Sequence, residues 1–422
     1  MIKYFISVFL AFFFVACTPM QPKPMQVIVK PNQRVFEKED MYILFALRAE
    51  QMHDGESAST LFNKLYEKSD KKEYLYRSLQ NDLVTKKYEK VITRIDALDE
   101  KEDLYLIRLK IVSLMGLKKY KEAETLAVSL VKKTQAINDY LLVSDVYVQL
   151  GQFGEAVKYL ESAYVKDYNE KILDKMSIIL YVNLQRKKDA IAQLETHTRV
   201  HGCSKTICTR LIGFYSNENN IDGLLSAYLR LYAIDKDEEV AKKIVQVYAY
   251  KKDFIKMMGF LENSGSDDKT LLQLYSNTKN YSKAYPLAIS IYDKTGDSSY
   301  LGQSAIYEYE SAAQKDKKLL DSVVDKLKDV ISVNDDPLYL NYLGYILIDH
   351  EIDVAEGMRY INRAMVVEPN SAYYLDSLAW GYYKLGKCKK AKEVMSRVVK
   401  LEGSDNVEVM QHIKKIDKCL KK

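Results

Sequence analysis

Glycine and proline are the scarce residues of this chain, 16 and 7 in 422. All-β and Rossmann-type folds draw on many turn glycines, so the shortage points to a mostly helical chain with short turns. Nowhere do basic residues gather into an arm or a stripe. The 63 Lys and Arg are interspersed with 58 Asp and Glu for a net charge of +5, which is a mixed solvated surface with no nucleic-acid-binding face. The signatures of enzyme chemistry are missing as well: there is no GxxxxGK[ST] and no GxSxG. "DHEID", beginning at Asp349, stops short of a zinc-protease HExxH because Val354 stands where the second histidine is required. His197 and His201 are four apart, but no carboxylate or cysteine stands in register to complete a metal site. The expectation is therefore no catalytic residue, no metal and no cofactor. Tryptophan occurs once, as Trp380 in "YYLDSLAWGYYKLGKCKKA".

What is present begins at the N-terminus. Lys3 precedes thirteen mostly apolar residues, Tyr4 to Ala16, a run too short to span a bilayer comfortably but suited to a secretory signal. Its end, Phe14-Val15-Ala16-Cys17, resembles the lipobox of bacterial lipoproteins, with Phe14 in place of the usual leucine. That resemblance implies cleavage of residues 1–16 and acylation of Cys17. Several acyl chains on one residue, at about 0.8 kcal/mol per buried methylene, anchor a protein effectively for good. Thr18 is not the aspartate that in many such lipoproteins signals inner-membrane retention, so the expected location is the outer membrane, facing the periplasm. Residues 17–38 hold four of the seven prolines and no helical periodicity, and read as an extended tether.

From about Asp40 one pattern returns: a tyrosine-rich apolar helix, a short polar turn, a small residue, and a second amphipathic helix. Aligning the small residue gives Ala58, Val91, Ala123, Ala156, Ala190, Gly223, Met257, Ala284, Gly357 and Ala391. The intervals are 33, 32, 33, 34, 33, 34 and 27, then 73 over two units, then 34. Texts such as "KKYEKV", "KKYKEA", "GQFGEA", "KNYSKA" and "GKCKKA" occupy the same turn. On these residues the chain resembles the tetratricopeptide repeat (TPR) family, a helix-turn-helix unit of about 34 residues. Leu343, Gly344, Ala364 and Pro369 match family positions in one copy, and Leu378, Ala379, Tyr382, Gly386 and Ala391 in the next. The match is weakest at 297–336. The resemblance implies an all-α, right-handed superhelical α-solenoid of about ten to eleven repeats over residues 39–403. Residues 404–422, with Val407, Met410, Ile413, Ile416 and Leu420 on one side, read as a capping helix that closes the exposed end.

In this family the first helix of each unit lines the concave surface. Carried over residue by residue, that places Tyr373, Asp376, Trp380 and Tyr383, and in the preceding unit Leu338, Asn341, Tyr345 and Ile348, in a groove suited to an extended peptide or a helix. The competing reading is that neighbouring helices cover Trp380, which then only fills the core. The lysine and asparagine set with which some family members clamp acidic tails is not matched: Arg108 and Lys175 stand at comparable sites, but Val112 and Ile179 follow them. Beyond Cys17 there are four cysteines, an even number in a chain expected to be exported. Cys203 and Cys208 flank a helix start, and Cys388 and Cys419 fall at helix ends expected on the same side of the solenoid. Two bridges, Cys203–Cys208 and Cys388–Cys419, are expected, against the alternative of buried free thiols. The functional expectation is a lipid-anchored scaffold for envelope protein complexes (pilus or secretin, flagellar motor, or outer-membrane biogenesis). Its partners would be envelope proteins, with no nucleic acid. The alternative is a recognition or activator subunit for peptidoglycan synthesis or carbohydrate binding, with the groove aromatics stacking on sugars.

Overall fold

In a computed structural model, residues 35–98, 102–403 and 405–421 are described, and among them the chain is all-α. Cys17 and the tether before residue 35 lie outside the described residues. The chain divides into two compact units, residues 1–193 and 194–422, the division falling within one helix. In unit 1, α1 (Glu39–Gln51) pairs with α2 (Gly55–Ser69), α3 (Lys72–Val84) with α4 (Tyr88–Asp96), and α5 (Leu104–Gly116) with α6 (Tyr120–Thr134). Next come α7 (Ile137–Gln149) with α8 (Phe153–Asp167), then α9 (Glu170–Ile178) running into a π-helical turn at Ile179–Asn183. The helix α10 (Lys187–His201) spans the division.

Unit 2 continues with α11 (Lys205–Asn217) and α12 (Ile221–Asp235), α13 (Glu238–Lys251) and α14 (Phe254–Ser264), α15 (Asp268–Asn277) and α16 (Tyr281–Thr295). It closes with α17 (Ser298–Ser311) and α18 (Lys317–Val333), α19 (Pro337–Asp349) and α20 (Val354–Val367), α21 (Ala372–Lys384) and α22 (Cys388–Glu402), and a last helix, α23 (Val407–Cys419). Each unit is thus a stretch of α-solenoid, in which consecutive helices pack on one another and the core runs between them.

Local chemistry sets the boundaries. Asp54, Asp103, Asp237, Asp267, Asp316, Asp336 and Asp353 cap helix N-termini, their side chains accepting from free backbone N–H groups of the first turn. Ten of the turns inside pairs end the first helix in one way. His53, Lys86, Lys118, Gly151, Gln185, Asn219, Lys252, Lys279, Glu351 and Gly386 take left-handed backbone, with φ between 52° and 71°. In nine of them the next N–H donates to the carbonyl five residues back, as Lys87 does to Asp82 and Lys387 to Tyr382 at 2.8 and 2.9 Å. Only Gly151 and Gly386 are glycines, so eight turns hold a side chain in a conformation that costs an L residue roughly 1–2 kcal/mol.

The aligned small residues pack where the helices of a pair cross. Ala58, Ala123, Ala156, Ala190, Ala284 and Ala391 are fully buried, and Gly357 lies so close to α19 that a Cβ there would stand 2.6 Å from the Gly344 carbonyl oxygen. Spacing within the first helices is strict. From first helical residue to left-handed residue is 14 positions in α1, α3, α5, α7, α11, α13, α19 and α21. It is 15 in α9, and the extra residue sits in the π-helical turn, where Arg186 N–H reaches back six residues to Leu180. Where the interval drops to 27, α14 and α15 are shortened to 11 and 10 residues.

The weakly matching stretch 297–336 also forms a helix pair, but its turn is different. Ala312 is extended, and the ammonium of Lys315 donates to the carbonyls of Tyr309 and Ala312 in place of the left-handed closure. Cys203 is bonded to Cys208 and Cys388 to Cys419, with Cα–Cα distances of 5.6 and 5.8 Å. The second bridge ties the start of α22 to the end of α23.

Candidate functional site

The first helices of the last three pairs, α17, α19 and α21, together with α22 and α23, bound a cavity of about 310 Å³ in unit 2. Helical spacing of three and four puts Tyr342 and Tyr345 on one face of α19, and Tyr373, Asp376 and Ser377 on one face of α21. Tyr309 and Glu310 enter from the last turn of α17, and Val398 and Glu402 from α22. Asn406 caps α23 with its side chain, and so fixes Glu408 and Val409 at the rim.

Hydrogen bonds fix the tyrosine rings. Tyr342 donates to Glu310 at 2.7 Å and Tyr345 donates to Glu408, while the Tyr309 hydroxyl lies 2.9 Å from His350 Nε2. The rings of Tyr342 and Tyr373 are 6.4 Å apart and tilted by 46°. Burial pushes the phenols of Tyr342, Tyr345, Tyr373 and Tyr309 well up from their ordinary value, with the neighbouring carboxylates adding to the effect, so all four stay protonated donors. Burial likewise holds the His350 imidazole below its usual range, with Lys315 and Lys384 acting in the same direction and Asp349 opposing.

Trp380 stands behind this wall. It is 1% exposed and packs with Ile348, Met358, Ile361 and Leu378. Its indole N–H donates to Asp349 at 2.9 Å. The His412 ring of α23 lies nearly parallel to it at 4.0 Å, with Tyr383 stacked at 4.7 Å. His412 Nδ1 is 3.0 Å from Asp376, so one histidine of the last helix covers the tryptophan and meets a buried carboxylate together.

The expected groove is thereby corrected. Trp380 and Asp376 are buried because α23 folds back over them instead of only closing the end, while Ile348 packs between α20 and α21 and Asn341 is buried as well. Asn341 is fully buried, and its amide has no hydrogen-bond partner among the described residues. Tyr373 and Leu338 are exposed, and Tyr345 and Tyr383 half-buried. Of the eight expected groove residues the cavity brings together Tyr345, Tyr373 and Asp376; Leu338, Asn341, Ile348, Trp380 and Tyr383 do not line it. Sequence reasoning missed Tyr309, Glu310, Tyr342, Glu402, Asn406 and Glu408. Tyr342 carried a signal, three before Tyr345 on the same helix, whereas Asn406 and Glu408 are contributed by the fold-back of α23, and Glu402 by the end of α22.

Elsewhere the basic residues compared with an acid-binding clamp are spoken for. Arg108 donates to both carboxylate oxygens of Asp139, at 2.6 and 2.8 Å, and Lys175 pairs with Asp145. No group of side chains among the described residues is arranged to hold a metal ion, and no helix there is long and apolar enough to cross a membrane.

No family model matches the chain, and no curated protein matches it. Solved structures similar to it include the crystal structure of the APC/C hetero-tetramer Cut9–Hcn1, at 10% identity and a TM-score of 0.40 over 90% of this chain and 97% of that one. A second is the structure of Naa15/Naa10 bound to HypK-THB, at 12% identity and a TM-score of 0.34 over 82% of this chain and 67% of that one.

Proposed function

We propose that the chain is a non-enzymatic repeat scaffold that binds another protein through the cavity between α17, α19, α21 and α23. The observation that carries the reading is this set of tyrosines, ordered before any ligand arrives by bonds to Glu310, Glu408 and His350. Aromatic rings offer large contact area, and rings already fixed lose little entropy on binding. We further propose that the scaffold is held at the periplasmic face of the outer membrane by acyl chains on Cys17, and serves assembly of an envelope complex. The lipobox-like end of the apolar run and the proline-rich stretch after it support that placement.

A photo-crosslinking residue placed at Tyr373, exposed at the cavity rim, tests protein binding in the intact envelope. The expected result is a discrete crosslinked polypeptide; no adduct from Tyr373, Tyr342 or Tyr309 refutes the reading. Mass analysis of the N-terminal peptide tests the anchor, which requires an acylated Cys17 with residues 1–16 removed. The sugar-binding alternative loses its best platform, since both neighbours of the Trp380 ring, His412 and Tyr383, cover it.

A further inference from the structure

The cavity is one-sided in charge. Its lining carries four carboxylates, Glu310, Asp376, Glu402 and Glu408, and no lysine or arginine. Asp376 is answered by His412. Glu310, Glu402 and Glu408 have no ion-pair partner among the described residues, and all three are exposed at the rim. Glu310 and Glu408 each accept from one tyrosine, which aligns the carboxylate while leaving its charge and its remaining lone pairs in place. The walls between them are the rings of Tyr309, Tyr342, Tyr345 and Tyr373; the Lys315 ammonium already lies 4.2 Å from the Tyr309 centroid, which leaves Tyr342, Tyr345 and Tyr373 to meet an incoming cation. Rings beside unpaired carboxylates hold a cation twice over, by the ring quadrupole and by charge-assisted hydrogen bonds. A volume of about 310 Å³ lies at the small end of ligand pockets, which suits a side chain more than a large cofactor.

We infer that this cavity seats the cationic side chain, arginine or lysine, of a basic segment in the protein partner. The inference rests on the protein-binding reading above and adds the partner's chemistry. Its sign is the reverse of a clamp for acidic tails, and Arg108 and Lys175, the residues such a clamp would use, are closed off by Asp139 and Asp145.

The test is selection of a random dodecapeptide library on the purified full chain, and in parallel on the Glu310→Gln/Glu408→Gln double variant. Both glutamates are exposed and glutamine still accepts from tyrosine, so the variant is expected to match the parent's thermal melt. Individual peptides are then measured by fluorescence anisotropy, alongside versions with citrulline for arginine and acetyl-lysine for lysine. Selected peptides should share a basic residue, and lose tenfold or more in affinity on the double variant and on neutralisation of that residue. Tyr373→Ala should weaken the same peptides by a similar factor. Peptides that bind without a basic residue, or bind parent and double variant alike, overturn the inference and leave the protein-binding reading standing. Failure to enrich any peptide overturns both.

Discussion

Trp380 is the only tryptophan in the chain, and His412 of α23 lies on its ring, so indole emission reports the docking of a single helix. Replacing His412 with alanine removes one face of the stack and the hydrogen-bond partner of buried Asp376. A buried acceptor left unsatisfied costs about 1–3 kcal/mol, and loss of the aromatic contact about 0.5–1.5 kcal/mol. The Cys388–Cys419 bridge, spanning 31 residues, opposes release by about 3.7 kcal/mol on the chain-entropy model. The two effects are of similar size, so each alone is tolerated and both together are not. The assay is a urea titration of parent and His412→Ala, oxidised and reduced, followed both by tryptophan emission and by helical circular dichroism. Terminal repeats of such arrays open locally. The reduced variant should therefore show red-shifted emission at urea concentrations where the helical signal is still native, while the oxidised parent shows one coincident transition. Coincident emission and dichroism curves in the reduced variant, at the parent's midpoint, would refute the docking described for α23.

Lys86→Gly and Lys118→Gly relieve left-handed strain at two turns and give up some unfolded-chain advantage in return, so each should raise stability by up to about 1 kcal/mol in urea unfolding. Gly357→Ala drives a methyl toward the Gly344 carbonyl oxygen, and should cost about 1–3 kcal/mol in the same measurement. Glu195 accepts from Arg230 at 2.7 and 2.8 Å and from Tyr215 at 2.7 Å. The Arg230 bonds chiefly, opposed by burial and aided by Tyr215, hold its carboxyl below the ordinary 4.5. A depressed folded-state pKa stabilises above the unfolded value and is lost as pH falls through the folded one. Glu195→Gln should therefore destabilise by about 1.5–3 kcal/mol at pH 7, and the gap should close as the pH drops below about 4.5.

The repeat was legible because its causes are local. Close helix crossings demand small residues at a fixed period, and these positions are buried as the alignment required, with Gly223 half-buried against the Tyr215 ring. The degenerate stretch 297–336 hid the faces of α17, and with them Tyr309 and Glu310, because its turn is closed by Lys315 instead of by the recurring motif. Periodicity also says which residues face inward without saying what lies over them. That α23 would fold back over Trp380 depends on contacts between residues more than thirty positions apart. One signal did stand in the sequence: His412 shares a face with Ile416, and both are buried. A histidine in that stripe needs a polar partner, and Asp376 supplies it.

The departures from the common period share a property. Where the interval is 27 instead of 33, α14 and α15 are four and three residues shorter than α12 and α11, about one helical turn each, and the link between them is one residue longer than that between α12 and α13. The single surplus residue of the α9 pair is taken up as a π-helical turn before the left-handed residue, leaving five positions from Gln185 to Ala190, as from Lys118 to Ala123 and from Gly151 to Ala156. Either change in length keeps the altered helix in phase with the turn that follows it. In a solenoid, an insertion or deletion is tolerated according to the angle it leaves behind rather than the number of residues it adds or removes.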